Sequence, residues 1–478
     1  VDELHDIGYN RTISMMDSIK SRIHRRVNLD NIRLRRMVYR SNYPELRFKN
    51  IIIDGANTQQ QAYIKKEFHK SDNKEFSYED LKQGYFRLLS DNMISEIIPH
   101  AIYNPEDDTY DLHLKVKLEN NFAVRLGGNI STSNSNQIYL GLSYQDLNYY
   151  AKEFVFDGQL GKVYNNAQFM AKIDFSTAIP TSYRFIASIS TFDYFKKDKL
   201  FSRNDKPAFN QKDERFLKLQ VGLPFLSSKR AEFGIGIARI EDKYFQKSVI
   251  DFGNDKFDKS RYDLFGGSIS FNGSTLNSRQ YPTRGYREAL IAQIFIGRER
   301  FYPGEGATGN NNKEHHSWLQ LSYMKEKYHN MSEHWVLGWY LKALYASKNF
   351  SENYTATMMQ AGEFSPTQHS KLTYNEAFRA NQFVGAGIRP IYRLNQMFHL
   401  RGEFYGFMPI YPIERNSLNK AYYGKAFSKF ECLGEISVVC QLPFGDISAY
   451  VNHYSSPKRE WNVGLSIGWQ LFNYRFIE

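Results

Sequence analysis

The stretch Trp461-Asn-Val-Gly-Leu-Ser-Ile-Gly-Trp-Gln-Leu-Phe472 decides how this chain is to be read. Val463, Leu465, Ile467, Trp469 and Leu471 alternate with Gly464, Ser466, Gly468 and Gln470. A period of two describes a strand with one apolar face and one small, polar face. It lies six residues from the end of the sequence, where a water-soluble domain rarely leaves a Trp-rich apolar edge. The same residues also spell Gly464-x-Ser466-x-Gly468, the spacing of a serine-hydrolase nucleophile elbow. A strand that closes a membrane barrel and an esterase elbow make opposite demands on everything upstream.

Composition favours the barrel. The 478 residues include 36 Phe and 34 Tyr against 5 Trp, and aromatics reach 16% although mean hydropathy is −0.56. A polar chain crowded with rings fits a barrel with aromatic girdles, polar lumen and polar loops. No run approaches the roughly 18 apolar residues of a spanning helix, so a membrane would be crossed by strands. The net charge of +11 comes without a helix-turn-helix, zinc-finger or aromatic RNA-binding signature, and its basic residues are scattered, which argues against nucleic acid as a partner. Cys432 and Cys440 fall eight apart on one predicted strand and cannot meet in a disulfide. Val1 is followed by no signal segment, which an outer-membrane protein needs; the chain is therefore expected to be the C-terminal part of a longer product.

Residues 1–46 read as a helical, Arg-rich linker. Ile13, Met16, Ile19 and Ile23 share a helix face, and seven arginines fall between Arg22 and Arg40, suited to anionic lipid heads or to a solvated linker. Residues 47–120 form a compact α+β unit in the order strand, helix, helix, strand, strand. Its second helix opens at Ser77-Tyr-Glu-Asp80, a capping-box variant, with Phe76 and Leu81 as a hydrophobic staple. From 121 to 478 about sixteen strands are expected, starting near 122, 137, 151, 167, 181, 214, 230, 260, 286, 315, 334, 380, 396, 427, 446 and 461. Phe398, Leu400 and Phe404 alternate with His399, Arg401 and Glu403, the pattern of lipid-facing and lumen-facing residues. Connections after even-numbered strands are short, whereas 196–213, 241–259, 298–314, 348–379 and 409–426 are long. Short periplasmic turns and long external loops segregate in this way in an antiparallel barrel, and nothing requires it of a soluble sandwich.

Three enzyme motifs occur by letter and fail on context. The elbow at Ser466 needs a sharp strand-to-helix turn, yet the alternation runs through it and no helix follows. Asp54-Gly55-Ala56 resembles half of a patatin dyad but ends a strand, where Gly permits a turn, and it precedes the Gly-x-Ser-x-Gly in the wrong order. Gly304-Glu-Gly306-Ala-Thr-Gly309 is followed by asparagines rather than a helix. His315-His316 has no Cys or carboxylate at metal-ligand spacing along the chain. No catalytic, cofactor or metal residue is assigned.

The strand–helix–helix–strand–strand unit followed by sixteen strand candidates resembles the outer-membrane assembly and secretion superfamily that includes BamA, TamA and the two-partner-secretion translocators. Ile51–Gly55 with Leu112–Leu118 is similar to the edge strands of a POTRA domain, and Thr275-Leu-Asn-Ser-Arg-Gln-Tyr-Pro-Thr-Arg-Gly285 is similar to a pattern around a periplasmic turn. Asn462-x-Gly464-x-x-Ile467-x-Trp469 looks like the C-terminal strand signal read by the assembly machinery. The resemblance implies a transmembrane β-barrel in a Gram-negative outer membrane, preceded by one periplasmic POTRA domain. The family's sixth external loop carries an arginine, within a Val/Met-Arg-Gly-Phe/Tyr motif, that reaches acidic partners in the lumen. Here the nearest match is Phe378-Arg379-Ala380, without glycine, which makes Arg379 the candidate and Glu403 and Glu435 its candidate partners.

A single POTRA before a barrel is similar to patatin-like phospholipases with a C-terminal translocator, the type Vd secretion arrangement. Asp6-Ile-Gly8-Tyr9 and Arg35-Arg36 look like the exit of a patatin domain. The first expectation is thus a translocator or anchor for an upstream lipase, not itself catalytic. The alternative is an assembly or translocation factor whose first and last strands form a weak seam. Implied partners are outer-membrane lipids, the assembly machinery during insertion, an upstream or passenger domain or a client β-strand, and a second copy of the chain. No cofactor is implied.

Overall fold

A computed structural model describes the chain except for residues 1, 24–27, 42–45, 69–74, 90, 92, 134–135, 176–178, 195–209, 226–228, 247–255, 305–310 and 457–460. The Gly-rich motif at 304–309 thus falls almost wholly outside the described residues. Backbone contacts divide the chain into two units, residues 1–56 with 67–117 and residues 57–66 with 118–478.

The first unit begins with helices α1 (Asp2–Ser14), α2 (Met16–Arg22) and α3 (Leu29–Ser41). Ile13, Ile19 and Ile23 are exposed, and the single expected helix is interrupted at Met15. Along the chain then come β1 (Arg47–Asp54), α4 (Thr58–Phe68), of which all but the last two residues group with the second unit, the two-residue β2 (Phe76–Ser77), α5 (Tyr78–Leu89), β3 (Ile94–Asn104) and β4 (Thr109–Leu118). The sheet order is β2-β1-β4-β3, with β1 parallel to β4 from Ile51↔Leu112 to Asp54↔Lys115. Phe48, Ile51, Ile53, Leu112, Leu114 and Val116 are buried with Phe76 and Leu88, as period-two strands and an amphipathic helix require. The helix cap is reciprocal: Asp80 N donates to Ser77 Oγ at 3.2 Å and Ser77 N to Asp80 Oδ2 at 3.0 Å. Gly55 has φ +89°, and a Cβ there would lie 2.1 Å from Val116 O, so Asp54-Gly55-Ala56 is a turn that only glycine can make.

The second unit is a closed barrel of sixteen antiparallel strands. They are β5 (Phe122–Ser131), β6 (Gln137–Leu147), β7 (Ala151–Gly161), β8 (Tyr164–Phe175), β9 (Thr181–Tyr194), β10 (Asn210–Phe225), β11 (Lys229–Tyr244) and β12 (Asp258–Ser274). The wall continues with β13 (Gly285–Tyr302), β14 (Asn312–Asn330) and β15 (Trp335–Ala346). Two-residue strands β16 (Gly362–Glu363) and β17 (Arg379–Ala380) pair inside the next loop, and β18 (Gln382–Arg393) and β19 (Phe398–Pro409) follow. A small hairpin, β20 (Ile413–Arg415) and β21 (Ala421–Tyr423), precedes the last wall strands β22 (Glu431–Leu442), β23 (Gly445–Tyr454) and β24 (Trp461–Gly468). Each expected strand lies within a few residues of an observed one. Leu217, Leu219, Ile235, Ile237, Ile294 and Ile296 are exposed, while Lys218, Gln220 and Gln293 are buried. This is an apolar face turned to lipid around a polar interior. No described helix is long and apolar enough to cross a membrane.

One expectation is corrected here. The last strand was expected to run to Phe472, but it stops at Gly468, whose φ of +112° turns the chain off the wall. Trp469 and Leu471 therefore do not continue the lipid-facing row. A Cβ on Gly468 would stand 2.2 Å from Gly128 O, so the turn needs glycine.

Candidate functional site in the barrel lumen

The connection between β15 and β18, residues 347–381, folds into the lumen rather than away from it. Helix α6 (Tyr354–Gln360) is capped by Asn353, which accepts from Ala356 N at 2.9 Å and donates Nδ2 to Tyr244 OH of β11 at 2.7 Å. Gln360 Nε2 donates to Asp242 Oδ2 at 2.5 Å, and Tyr262 OH to Ser351 Oγ at 2.8 Å. Ala356 and Met359 pack with Tyr244 and Phe301, giving the loop an apolar footing of its own. Deeper in, Phe364 packs with Phe383, Tyr405 and Phe407.

The loop meets a buried charge network on the wall. Glu326 (β14), Arg389 (β18), and Arg401 and Glu403 (β19) are each below 10% exposed. Arg389 pairs with Glu326 in direct contact and with Glu403 at 3.6 Å; Arg401 pairs with Glu403 in direct contact. Tyr405 OH donates to Glu403 and accepts from Arg389 Nε at 2.6 Å. Arg401 reaches further, donating to Tyr328 OH at 3.0 Å and to Pro282 O at 2.8 Å. Two guanidinium groups face two carboxylates, so desolvation is offset by short charge-assisted hydrogen bonds. Arg389 Nη2 donates to Pro366 O at 3.2 Å, fastening the loop to this network.

The register places Glu403 directly opposite Glu435 of β22. Two carboxylates so placed repel unless each has its own partner. Glu403 has its arginines, and Glu435 Oε1 lies 2.9 Å from Nδ1 of His369, a loop residue stacked on Tyr450 at 3.4 Å between ring centroids.

Arg379 is buried, but its carboxylate is neither of the two expected. It binds Glu363 at 2.9 Å across the β16–β17 hairpin, donates to Met359 O and Ala361 O, and lies 4.7 Å over the Tyr374 ring. Arg379 thus ties the loop to itself, while Arg389, Arg401 and His369 serve Glu403 and Glu435. The inward alternation of β19 flagged Arg401 beside Glu403. His369 carried no sequence signal, because its partner is 66 positions away.

His316 also acquires partners that spacing along the chain hides. Register pairs Glu299 with Glu314 across β13–β14, and His316 Nε2 then lies 2.9 Å from Glu299 and 4.0 Å from Glu314. Glu299 is also held by Tyr262 OH at 3.1 Å and Glu352 N at 3.3 Å. This group is an anchor for the loop, built from the wall.

The barrel closes on a short seam. β24 and β5 pair at Ser466↔Ser131, Ile467↔Ile130 and Gly468↔Asn129, whereas β13 and β14 pair from Gly285↔Tyr328 to Phe301↔Asn312. Thr132 N donates to Leu465 O and Trp469 N to Gly128 O, and Ser466 Oγ donates to Asn129 Oδ1 at 2.6 Å. Among the described residues, β5 from Phe122 to Gly127 has no β24 partner. Ser466 is a lumen-facing seam residue, buried and bonded to Asn129, with no helix after it. Of the expected strand-signal residues, Asn462 donates to Asn452 at 3.1 Å, Gly464 receives the Tyr450 ring, Ile467 faces outward, and Trp469 lies beyond the strand near Gly127.

The turn between β12 and β13, residues 275–284, enters the same space. Tyr281 is fully buried with its OH 3.0 Å from Ser448 Oγ. Gln280 joins three segments: its Oε1 accepts from Gln470 N at 3.1 Å, its Nε2 donates to Gly468 O, and its backbone O accepts from Gln368 Nε2 at 2.9 Å. Seam end, lumen loop and turn thus meet at one residue.

Solved structures share this architecture. BamA from Haemophilus ducreyi lacking POTRA domains 1-3 matches with a TM-score of 0.60 at 12% identity, covering 88% of this chain and 84% of that one. CdiB from Acinetobacter baumannii matches with a TM-score of 0.51 at 9% identity, covering 89% and 74%. At these identities the likeness is one of fold. No protein-family model matches the chain, and no curated protein matches it in sequence.

Proposed function

We propose that this chain is an outer-membrane translocation or assembly barrel that handles polypeptide at the β5–β24 seam. The observation that carries the reading is the seam itself: an edge of β5, from Phe122 to Gly127, that among the described residues has no β24 partner, beside a ladder of three positions. An open edge takes an incoming strand by β-augmentation, main chain to main chain, with little demand on sequence. The lumen loop and the charge network behind it supply a rigid frame against which such a strand can be exchanged. The α+β unit at 47–120 is read as a periplasmic POTRA domain. Asn462, Gly464, Ile467 and Trp469 are read as a signal used during insertion, and Arg379 as the lock of the loop upon itself.

The narrower reading makes a patatin-like phospholipase domain, preceding residue 1, the passenger. It rests on Asp6-Ile-Gly8-Tyr9 in α1 and Arg35-Arg36 in α3, and the full-length sequence of the natural protein tests it.

The seam reading is tested by a lock. Ser131 and Ser466 are register partners, so Ser131→Cys with Ser466→Cys, in a background lacking Cys432 and Cys440, places two thiols at bridging distance. Oxidation should abolish passenger export or client insertion, and reductant should restore it. Full activity of the oxidised barrel sinks the reading.

A further inference from the structure

Beyond Gly468 the chain crosses the lumen as an extended segment, residues 469–478, and the wall it meets is built to receive one. Gln137 acts as a surrogate strand: its Oε1 accepts from Leu471 N at 3.1 Å and its Nε2 donates to Leu471 O at 3.0 Å. Gln293 repeats the device further on, donating to Phe476 O at 3.1 Å and accepting from Glu478 N at 3.0 Å. Between them Tyr164 OH accepts from Asn473 N at 3.3 Å, and Glu214 Oε1 accepts from Phe476 N at 2.5 Å. Gln320 Nε2 donates to Glu478 O at 2.5 Å. These wall side chains come from β6, β8, β10, β13 and β14, and all address main-chain atoms.

The wall also reads side chains: Asn473 donates to Asn166 at 2.6 Å and accepts from Gln159 at 3.2 Å, Arg475 lies 4.6 Å over the Phe192 ring, and Phe476 is the most deeply held. Phe476 is 3% exposed and sits in a cluster with Ile186, Phe216, Ile240, Phe295 and Trp318. The floor of that pocket is two glycines: a Cβ on Gly236 or Gly266 would stand 2.9 or 3.1 Å from the Phe476 ring. Past it, Lys218 Nζ lies 3.4 Å from the Glu478 carboxylate. An aromatic socket with a cation beyond it thus stands at the end of a track that reads main-chain atoms along its length and the Asn473 amide midway.

We propose that the inner wall from β6 to β14 is a binding site for extended polypeptide with one aromatic anchor, which residues 469–478 occupy in cis as a displaceable plug. Amide side chains that bond N–H and C=O bind any sequence that can lie extended, as β-augmentation does. The glycine-floored pocket selects the phase of the bound chain by its aromatic residue. Because the segment leaves the seam at Gly468 and is held there by Gln280, a competing segment that lifts it also removes the Gln470 contact adjoining the seam. The inference deepens the polypeptide-handling reading and rests on it for its physiological ligand, but the site can be tested without it.

The test uses the full chain in lipid bilayers and a synthetic peptide, Trp-Gln-Leu-Phe-Asn-Tyr-Arg-Phe-Ile-Glu, the sequence of residues 469–478. Phe476→Ala should raise single-channel conductance, and the added peptide should return it to the wild-type level. A peptide carrying alanine at the position of Phe476 should block roughly 10- to 100-fold more weakly, the factor that burial of one aromatic side chain supplies. Should Phe476→Ala fail to yield barrel, Gln137→Ala with Gln293→Ala leaves the segment intact, removes two wall readers, and should likewise open the pore. Unchanged conductance in whichever variant folds, or no block by the wild-type peptide, overturns the proposal. The Ser131/Ser466 disulfide separates the two readings: block retained while export survives oxidation defeats only the seam, and absent block while export remains seam-dependent defeats only the plug.

Discussion

The charge network gives the sharpest quantitative test. Arg401 is 1% exposed, and among the described residues its carboxylate partner is Glu403 alone; Arg389 keeps Glu326 as well. Glu403→Gln preserves shape and an acceptor but removes one of two negative charges, leaving two guanidinium groups facing a single carboxylate. Breaking a buried pair from one side costs about 3–5 kcal/mol, a factor of about 10² to 5 × 10³ in the folding equilibrium. Replacing both members, Glu403→Gln with Arg401→Met, restores the charge balance and should recover more than half of that loss. The assay is urea unfolding of the barrel in detergent micelles, followed by the heat-dependent gel shift, for wild type, both single variants and the double variant. A double-mutant cycle then isolates the coupling. A Glu403→Gln loss below about 1 kcal/mol, or a double variant no more stable than Glu403→Gln, would show that water or lipid screens these groups and that the frame is not a dry ionic one.

Two further outcomes follow from geometry. Gly468→Ala puts a methyl group 2.2 Å from Gly128 O at a φ of +112°, so the gel-shifted fraction should fall severalfold, while Ser466→Ala, which removes one hydrogen bond worth about 1 kcal/mol, should leave most of it. Arg379→Glu sets a second carboxylate against Glu363 in the loop hairpin; the variant should fold poorly and expose residues 347–381 to protease, and Glu363→Arg in the same chain should restore protection.

How much of this was legible in the sequence follows from the range of each interaction. The sixteen strands were readable because each strand's own alternation reports which face meets lipid, and that needs no partner. The capping of α5 by Ser77 and Asp80 was readable for the same reason, since cap and capped groups lie within one turn. Glu403 and Glu435 could be placed on the inward face, but that they stand opposite one another depends on the register between β19 and β22, which alternation does not fix. The partner of Arg379 was missed because a two-residue hairpin, Glu363 against Arg379, has too short a pattern to announce itself. His316 has Glu314 two positions before it on the same strand, but its nearer partner Glu299 comes only with the β13–β14 ladder. The end of β24 was misplaced because Trp469 and Leu471 keep the period of two past the residue where backbone geometry ends the strand. A positive φ at Gly468 leaves no trace in apolar–polar alternation.

The unequal lengths of the ladders also have a mechanical side. Fifteen of the sixteen junctions in the wall run long, and a lateral stress on them is shared by many parallel bonds. At β5–β24 the same stress falls on three register positions, each holding net hydrogen-bond energy of about 1 kcal/mol. Compression by a thin bilayer, or a wedge of lipid driven against the wall, therefore deforms the barrel first along this line. The bonds there lie along the direction in which the two strands would separate, so the load falls directly on them. The cylinder is thus anisotropic, stiff around most of its circumference and compliant along one generatrix.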